Sequence, residues 1–272
     1  MAESKRYDIV LSIAGSDASG GAGIQADIKT ASAMGCYAAT AITSVVSENT
    51  QKVYSVADMT AEMVVSQIHA VLDDIGVSAI KIGMLHSAEV AHAVAEVLKT
   101  CGTKNIVLDP VMVATSGDEL MLEDTIEVIK SELMPIARIC TPNLPEAKRL
   151  LGGREIKTIE EMKQAAIDIS EMGCSVMLKG GHLDGKIMMD ILCNKETREL
   201  LELPQDKVET RNTHGTGCTL STAIASGLAK GKTLTGAVVG AKTYINQAIE
   251  TGARYEIGRG HGPVAHFYKY WE

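Results

Sequence analysis

The stretch Asn212-Thr213-His214-Gly215-Thr216-Gly217-Cys218-Thr219-Leu220-Ser221 holds the densest set of residue types able to do chemistry. Gly215 and Gly217 permit a tight turn, and the Ala/Ser/Leu-rich run to Lys230 is good helix-forming sequence. The first N–H groups of such a helix lack intrahelical partners and its dipole favours negative charge, so a phosphate would rest against residues 215 to 218, faced by Cys218. A plain structural corner with a small buried cysteine is the other reading of the same residues. Gly15-Ser16-Asp17-Ala18-Ser19-Gly20-Gly21-Ala22-Gly23 makes a second flexible or close-approach loop. Asp27 falls on the first turn of the helix that follows and faces back toward the loop, either to complement the helix N-terminus or to accept a hydrogen bond from a ligand. Asp109, ahead of Pro110, either holds Mg2+ directly or through water, or caps a turn. In Thr141-Pro142-Asn143-Leu144-Pro145-Glu146 the spacing is that of a capping box, with Glu146 at its third position and also able to support a metal ion. Lys179, ahead of Gly180-Gly181-His182, is either a point charge for a phosphate or a solvated turn residue.

These groups need a frame that brings them to one edge, and the hydrophobic pattern supplies it. Strand-like runs are expected at Ile9 to Ala14, Ala38 to Val46, Ala79 to Met84, Ile106 to Asp109, Ala137 to Cys140 and Ser175 to Leu178. Helices are expected between them at about Ile24 to Met34, along Val64, Ile68, Val71, Leu72 and Ile75, and along Ala91, Val94, Ala95 and Leu98. Others are expected around Asp124 to Met134, at about Ile159 to Met172 and at Thr233 to Ile249. Strands alternating with helices build a mostly parallel sheet with right-handed crossovers. Ile187 to Cys193 and Leu200 to Leu203 form a small antiparallel addition at its edge. Ligands meet such sheets beyond the carboxyl ends of the strands, which gathers Glu48, Met84 and Asp109 on one side.

Composition bounds the function. The chain has 272 residues, 46% hydrophobic but only 3% aromatic, so its core is built from Ala, Val, Ile, Leu and Met, as suits buried parallel strands. A net charge of −8 without a run of basic residues argues against a nucleic-acid or membrane-surface partner. The six cysteines show no metal-like or C-x-x-C spacing and read as reduced thiols of a cytoplasmic protein. No segment approaches the roughly 20 apolar residues of a membrane span, and no repeat or linker divides residues 1–272, which read as one domain.

Taken in order, six motifs together resemble the ribokinase-like superfamily and, within it, the bacterial hydroxymethylpyrimidine/phosphomethylpyrimidine kinases. They are Ile13 to Asp17 with Ser19 to Asp27, Lys81-Ile82-Gly83-Met84-Leu85, Asp109-Pro110-Val111-Met112, Thr141 to Glu146, Lys179 to His182, and Asn212 to Cys218. The resemblance implies a three-layer α/β fold with a mostly parallel central sheet and helices on both faces. It implies ATP- and Mg2+-dependent phosphorylation of 4-amino-5-hydroxymethyl-2-methylpyrimidine, then of its monophosphate, by a homodimer. Carried over residue by residue, it makes Gly215, Thr216, Gly217 and Cys218 the anion hole, with Lys179 neutralising the triphosphate. Thr213, Gly215, Gly217 and Lys179 contact ATP, Asp109 and Glu146 organise the metal, and Gly15, Asp27, Glu48, Met84 and Val111 enclose the pyrimidine. Cys218 stands where sugar kinases of the superfamily carry an aspartate base. A helix N-terminus is expected to lower its pKa from about 8.5, so that a thiolate takes the acceptor proton or orients the hydroxyl.

One residue departs from the family pattern. Glutamine is usual where this chain has Glu48, and an ionised carboxylate only accepts hydrogen bonds whereas an amide also donates. A pyridoxal or pyridoxine kinase on the same scaffold is therefore the nearest alternative, and a non-catalytic ligand-binding protein is the alternative from another class.

Overall fold

The computed structural model describes residues 5–112, 121, 123–181 and 187–271. Among the described residues nine strands form one sheet in the order β3-β2-β1-β4-β5-β6-β7-β8-β9. The strands are β1 (Ile9–Asp17), β2 (Tyr37–Glu48), β3 (Val53–Asp58), β4 (Ala79–Ile82), β5 (Ile106–Leu108), β6 (Ile139–Cys140), β7 (Ser175–Leu178), β8 (Ile187–Asn194) and β9 (Glu199–Asp206). The central pairs from β2 to β7 are parallel, and β3, β8 and β9 run antiparallel at the two edges.

Side chains on a strand alternate between faces, and here the alternation separates two cores. Leu11, Ile13, Ile80, Ile82, Ile106, Leu108 and Val176 pack toward α2 (Ala61–Leu72), α3 (Ala88–Thr100), α4 (Glu123–Val128), α5 (Leu144–Leu150) and α6 (Ile159–Ser170). Val10, Ala79, Val107, Ile139 and Met177 pack toward α1 (Gly23–Ala33), α7 (Thr216–Ala229) and α8 (Leu234–Gly252). The three-layer α/β expectation is met. Among the described residues no helix is long and apolar enough to cross a membrane.

Two elements differ from the sequence reading. The antiparallel β3 has no counterpart in it, because Val53–Asp58 is short and mostly exposed and lacks a strongly apolar face. The helix expected from Asp124 to Met134 is α-helical only to Val128, then widens into a π-turn over Ile129–Leu133 and tightens over Met134–Ile136, where Pro135 has no N–H to continue the ladder.

Candidate active site

Gly215 fixes the start of α7. It is the N-cap at φ 74°, in the left-handed region, and a Cβ there would lie 1.8 Å from the Gly21 carbonyl oxygen. Only glycine combines that conformation with that approach. The first turn of α7, Thr216, Gly217 and Cys218, is therefore seated against the glycine-rich loop after β1, and Thr213 precedes it half-buried.

The same loop is organised by Asp17, a residue quoted in the sequence motif but given no role there. Its carboxylate accepts hydrogen bonds from the N–H groups of Ser19, Gly21 and Ala22 at 2.6, 3.0 and 2.7 Å, and from the Ser19 hydroxyl at 2.9 Å. His214 Nε2 lies 2.9 Å from Asp17 Oδ2. Burial alone would raise the Asp17 pKa, but the bonds from His214, Ser19 and Ala22 hold it well below the usual carboxylate range. Burial disfavours the charged form of His214, yet Asp17, with Glu48 adding its charge, leaves the imidazole pKa raised. A ligating atom from each of Asp17, Glu48 and His214 lies within 4.8 Å of the others.

Beyond the ends of β5 to β7 the expected phosphate-handling groups meet. Lys179 Nζ is 3.2 Å from Asp109 Oδ1, and a Cβ on Gly217 would lie 3.3 Å from that nitrogen and 3.5 Å from Asp109 Oδ2. Asp109 also accepts from Thr141 Oγ1 and Ser221 Oγ. Burial would discharge Lys179, but the carboxylates of Asp109 and Glu146 keep its pKa raised. Glu146 completes the capping box, accepting the Asn143 N–H at 2.7 Å while its own N–H donates to Asn143 Oδ1 at 2.9 Å. Burial pushes its pKa up to about 7, Lys179 opposing and Asp109 reinforcing the rise. A buried carboxylate pair beside one ammonium offers hard oxygen donors and is short of positive charge, so these residues fit Mg2+, which takes one or two carboxylates and completes its shell with water and phosphate.

Met84, just beyond β4, joins Val46, Val53, Val56 and Val111 in a small apolar cluster. Gly15 sits at a register shift between β1 and β2, where a Cβ would lie 2.8 Å from Met84 Cε and 3.1 Å from Ser44 Oγ. That Ser44 hydroxyl, buried and without a hydrogen-bond partner among the described residues, was missed in the sequence reading. The strand also carries Thr40, Thr43 and Ser47, so its sequence pattern does not single Ser44 out.

Two expectations are corrected. Asp27 does not face the loop: it is 1% exposed, and its carboxylate accepts from Ser12 Oγ at 2.5 Å, Lys81 Nζ at 2.8 Å and Thr222 Oγ1 at 2.6 Å. α1 starts at Gly23, so Asp27 lies beyond its first turn, and partners on three elements hold the carboxylate inward. Cys218 is half-buried, and its thiol pKa is not lowered but pushed up to about 11. Burial is the main cause. The nearby charges of Asp27 and Asp109 add to it, while Lys81 and the Gly23 N–H oppose it. His182 lies outside the described residues.

A family model described as phosphomethylpyrimidine kinase matches residues 17–265. The chain belongs to this family. A hydroxymethylpyrimidine/phosphomethylpyrimidine kinase of Rhizobium meliloti is 50% identical over 266 residues, covering 97% of this chain and 98% of the relative. Among solved structures, phosphomethylpyrimidine kinase from Clostridium difficile is 42% identical with a TM-score of 0.78, over 89% of this chain and 99% of that one. Pyridoxal kinase from Bacillus subtilis, solved as an ADP complex, is 35% identical with a TM-score of 0.88, over 96% of this chain and 98% of that one. The phosphomethylpyrimidine kinase family fold is thus the ribokinase-like one, and membership of a kinase family implies use of ATP.

Proposed function

We propose that this chain is a thiamine-biosynthetic kinase that transfers the γ-phosphoryl group of ATP to 4-amino-5-hydroxymethyl-2-methylpyrimidine, and then to the monophosphate to form the diphosphate. The observation that carries the reading is the convergence of Lys179, Asp109 and Cys218 on the first turn of α7, with Met84 and Val111 in a small apolar cluster that Gly15 adjoins. Apolar walls with a few placed polar groups suit a flat heteroaromatic ring. Gly15, Glu48, Met84 and Val111 enclose the ring in this reading, and Asp27 supports the site from beneath.

In phosphoryl transfer a protein mainly positions the reactants in line and stabilises charge on the moving group. The N–H groups from Gly215 through Thr216 and Gly217 to Cys218 receive the phosphoryl oxygens, with Lys179 as a fixed positive charge beside them and Thr213 at the nucleotide. Asp109 and Glu146 would hold Mg2+, which would supply charge neutralisation at the phosphates. With its pKa pushed up to about 11, Cys218 is a thiol at neutral pH, so it orients the acceptor hydroxyl as a thiol and takes a proton only as the minor thiolate form.

Glu48 favours a second reading, a pyridoxal kinase, and the fold likeness to the Bacillus subtilis enzyme agrees with it. Sequence identity weighs the other way, at 42% for the phosphomethylpyrimidine kinase structure against 35% for the pyridoxal kinase. We take the chain as a single kinase domain over residues 1–272, cytoplasmic, without a nucleic-acid or membrane partner and working as a homodimer, which sedimentation would test. Measuring ATP-dependent ADP release with hydroxymethylpyrimidine and with pyridoxal tests the function: faster release with the pyrimidine is expected, and release with neither would overturn the kinase reading.

A further inference from the structure

Phosphoryl transfer as described leaves the buried charge of Lys81 without a task. Ser12 and Lys81 are register partners on β1 and β4, each two residues beyond a side chain that faces the layer of α1 and α7. They face that layer too. Lys81 Nζ pairs with Asp27 Oδ2 at 2.8 Å, both side chains fully buried. Asp27 Oδ1 in turn accepts from Thr222 Oγ1 at 2.6 Å, and Thr222 lies one turn after Cys218 on the same face of α7. The ammonium sits directly under the chain that leads to Met84, 2.7 Å from where a Gly83 Cβ would be. It has three N–H groups, and among the described residues Asp27 is its one hydrogen-bond partner. Apolar replacements for buried ion pairs are often as stable or more so, so stability alone does not account for this pair.

We propose that Lys81 is a positioning residue for phosphoryl transfer: its ammonium, locked by Asp27 to the inner face of α7, is a fixed positive charge beneath Cys218 that stabilises the thiolate. The thiolate then takes the acceptor proton. The O–H bond breaks as S–H forms, the acceptor oxygen bonds to phosphorus, and the bond from phosphorus to the leaving oxygen breaks with its electrons going to ADP. The resulting thiol returns its proton to water. Besides Lys81 from β4, the charged groups facing Cys218 are Asp27 from α1, Asp109 after β5 and Lys179 after β7, with the Gly23 N–H also directed to it. Lys81 is the largest of the influences that favour the thiolate.

The inference rests on the kinase reading, so its test has a readout that needs no substrate. Lys81→Met alone would leave a buried carboxylate uncompensated. The paired change Lys81→Gln with Asp27→Asn removes both charges and keeps amide hydrogen bonding to Ser12 and Thr222. The rate of Cys218 carbamidomethylation by iodoacetamide, followed by peptide mass spectrometry from pH 7 to 10, is compared with the unmodified chain. Alkylation at a given pH is expected to fall several-fold and kcat by about tenfold or more, with KM within about twofold. If that pair does not fold, Thr222→Val, which frees Asp27 from α7 without altering charge, is expected to lower both rates by about threefold. In whichever variant folds, unchanged Cys218 alkylation and unchanged kcat overturn the proposal. Failure of the unmodified chain to turn over any acceptor would instead overturn the kinase reading, while the alkylation comparison still decides whether Lys81 acts on Cys218.

Discussion

Cys218 carries two opposed influences. The N-terminus of α7 and Lys81 favour its thiolate, and burial with two nearby carboxylates disfavours it more, leaving the thiol at about 11. If the acceptor is oriented and deprotonated here, Cys218→Ala should lower kcat by about 100-fold or more while the thermal midpoint moves by only a few degrees. Comparable activity in that variant would remove Cys218 from the reaction. At the other side of the proposed site, Glu48 is the residue we propose to set acceptor preference. Glu48→Gln restores a group that both donates and accepts, so the ratio of kcat/KM for the pyrimidine over pyridoxal should rise by about tenfold. An unmoved ratio would mean that Glu48 does not touch the ring. The sequence placed Lys179, Asp109 and Cys218 together correctly in space, because each ends a strand or begins a helix and such ends share one edge. It could not foretell the inward turn of Asp27 or the raised thiol, since both depend on partners distant in sequence: Ser12, Lys81 and Thr222 for one, the enclosing protein for the other.

Among the elements, the start of α7 has the least tolerance. Gly215→Ala would force a side chain onto φ 74° and into the Gly21 carbonyl. A loss of about 2 kcal/mol or more in urea unfolding, together with near-complete loss of turnover, is expected. Retained activity would show that the first turn does not need this seat. The capping box at α5 was fully legible, since Asn143 and Glu146 reveal it by spacing alone, and Asn143→Ala should cost about 1 kcal/mol. Buried strands with continuous apolar runs, such as Ser175–Leu178, were equally legible. The edge strand Val53–Asp58 was not, because an exposed strand has no buried face to impose a pattern on its residues.

At the level of the whole molecule, the buried groups His266 and Glu146 bear on the acid response with opposite signs. His266 is 5% exposed, bonded to Thr219 Oγ1, and lowered to about 4 by burial and then by the charge of Lys29. Between about 4 and 6.5 the unfolded chain binds a proton that the folded chain does not, so this stability is present above 6.5 and is lost as pH falls toward 4, by about 3 kcal/mol. Glu146, raised to about 7 from an ordinary value near 4.5, binds its proton more readily when folded, so it stabilises below that window and loses the contribution as pH rises through it. Urea unfolding at pH 7 and pH 4.5 should therefore show a smaller acid loss in His266→Gln than in the unmodified chain. An equal loss in both would place the acid sensitivity elsewhere.

The proposed activity is phosphorylation of the pyrimidine alcohol and then of its monophosphate. The direct measurement is a side-by-side assay of ATP-dependent product formation from hydroxymethylpyrimidine, its monophosphate and pyridoxal, with products separated and identified by mass. Appearance of the monophosphate and then the diphosphate, both faster than pyridoxal phosphate, is the predicted result; pyridoxal as the preferred acceptor, or no diphosphate from the monophosphate, would contradict it.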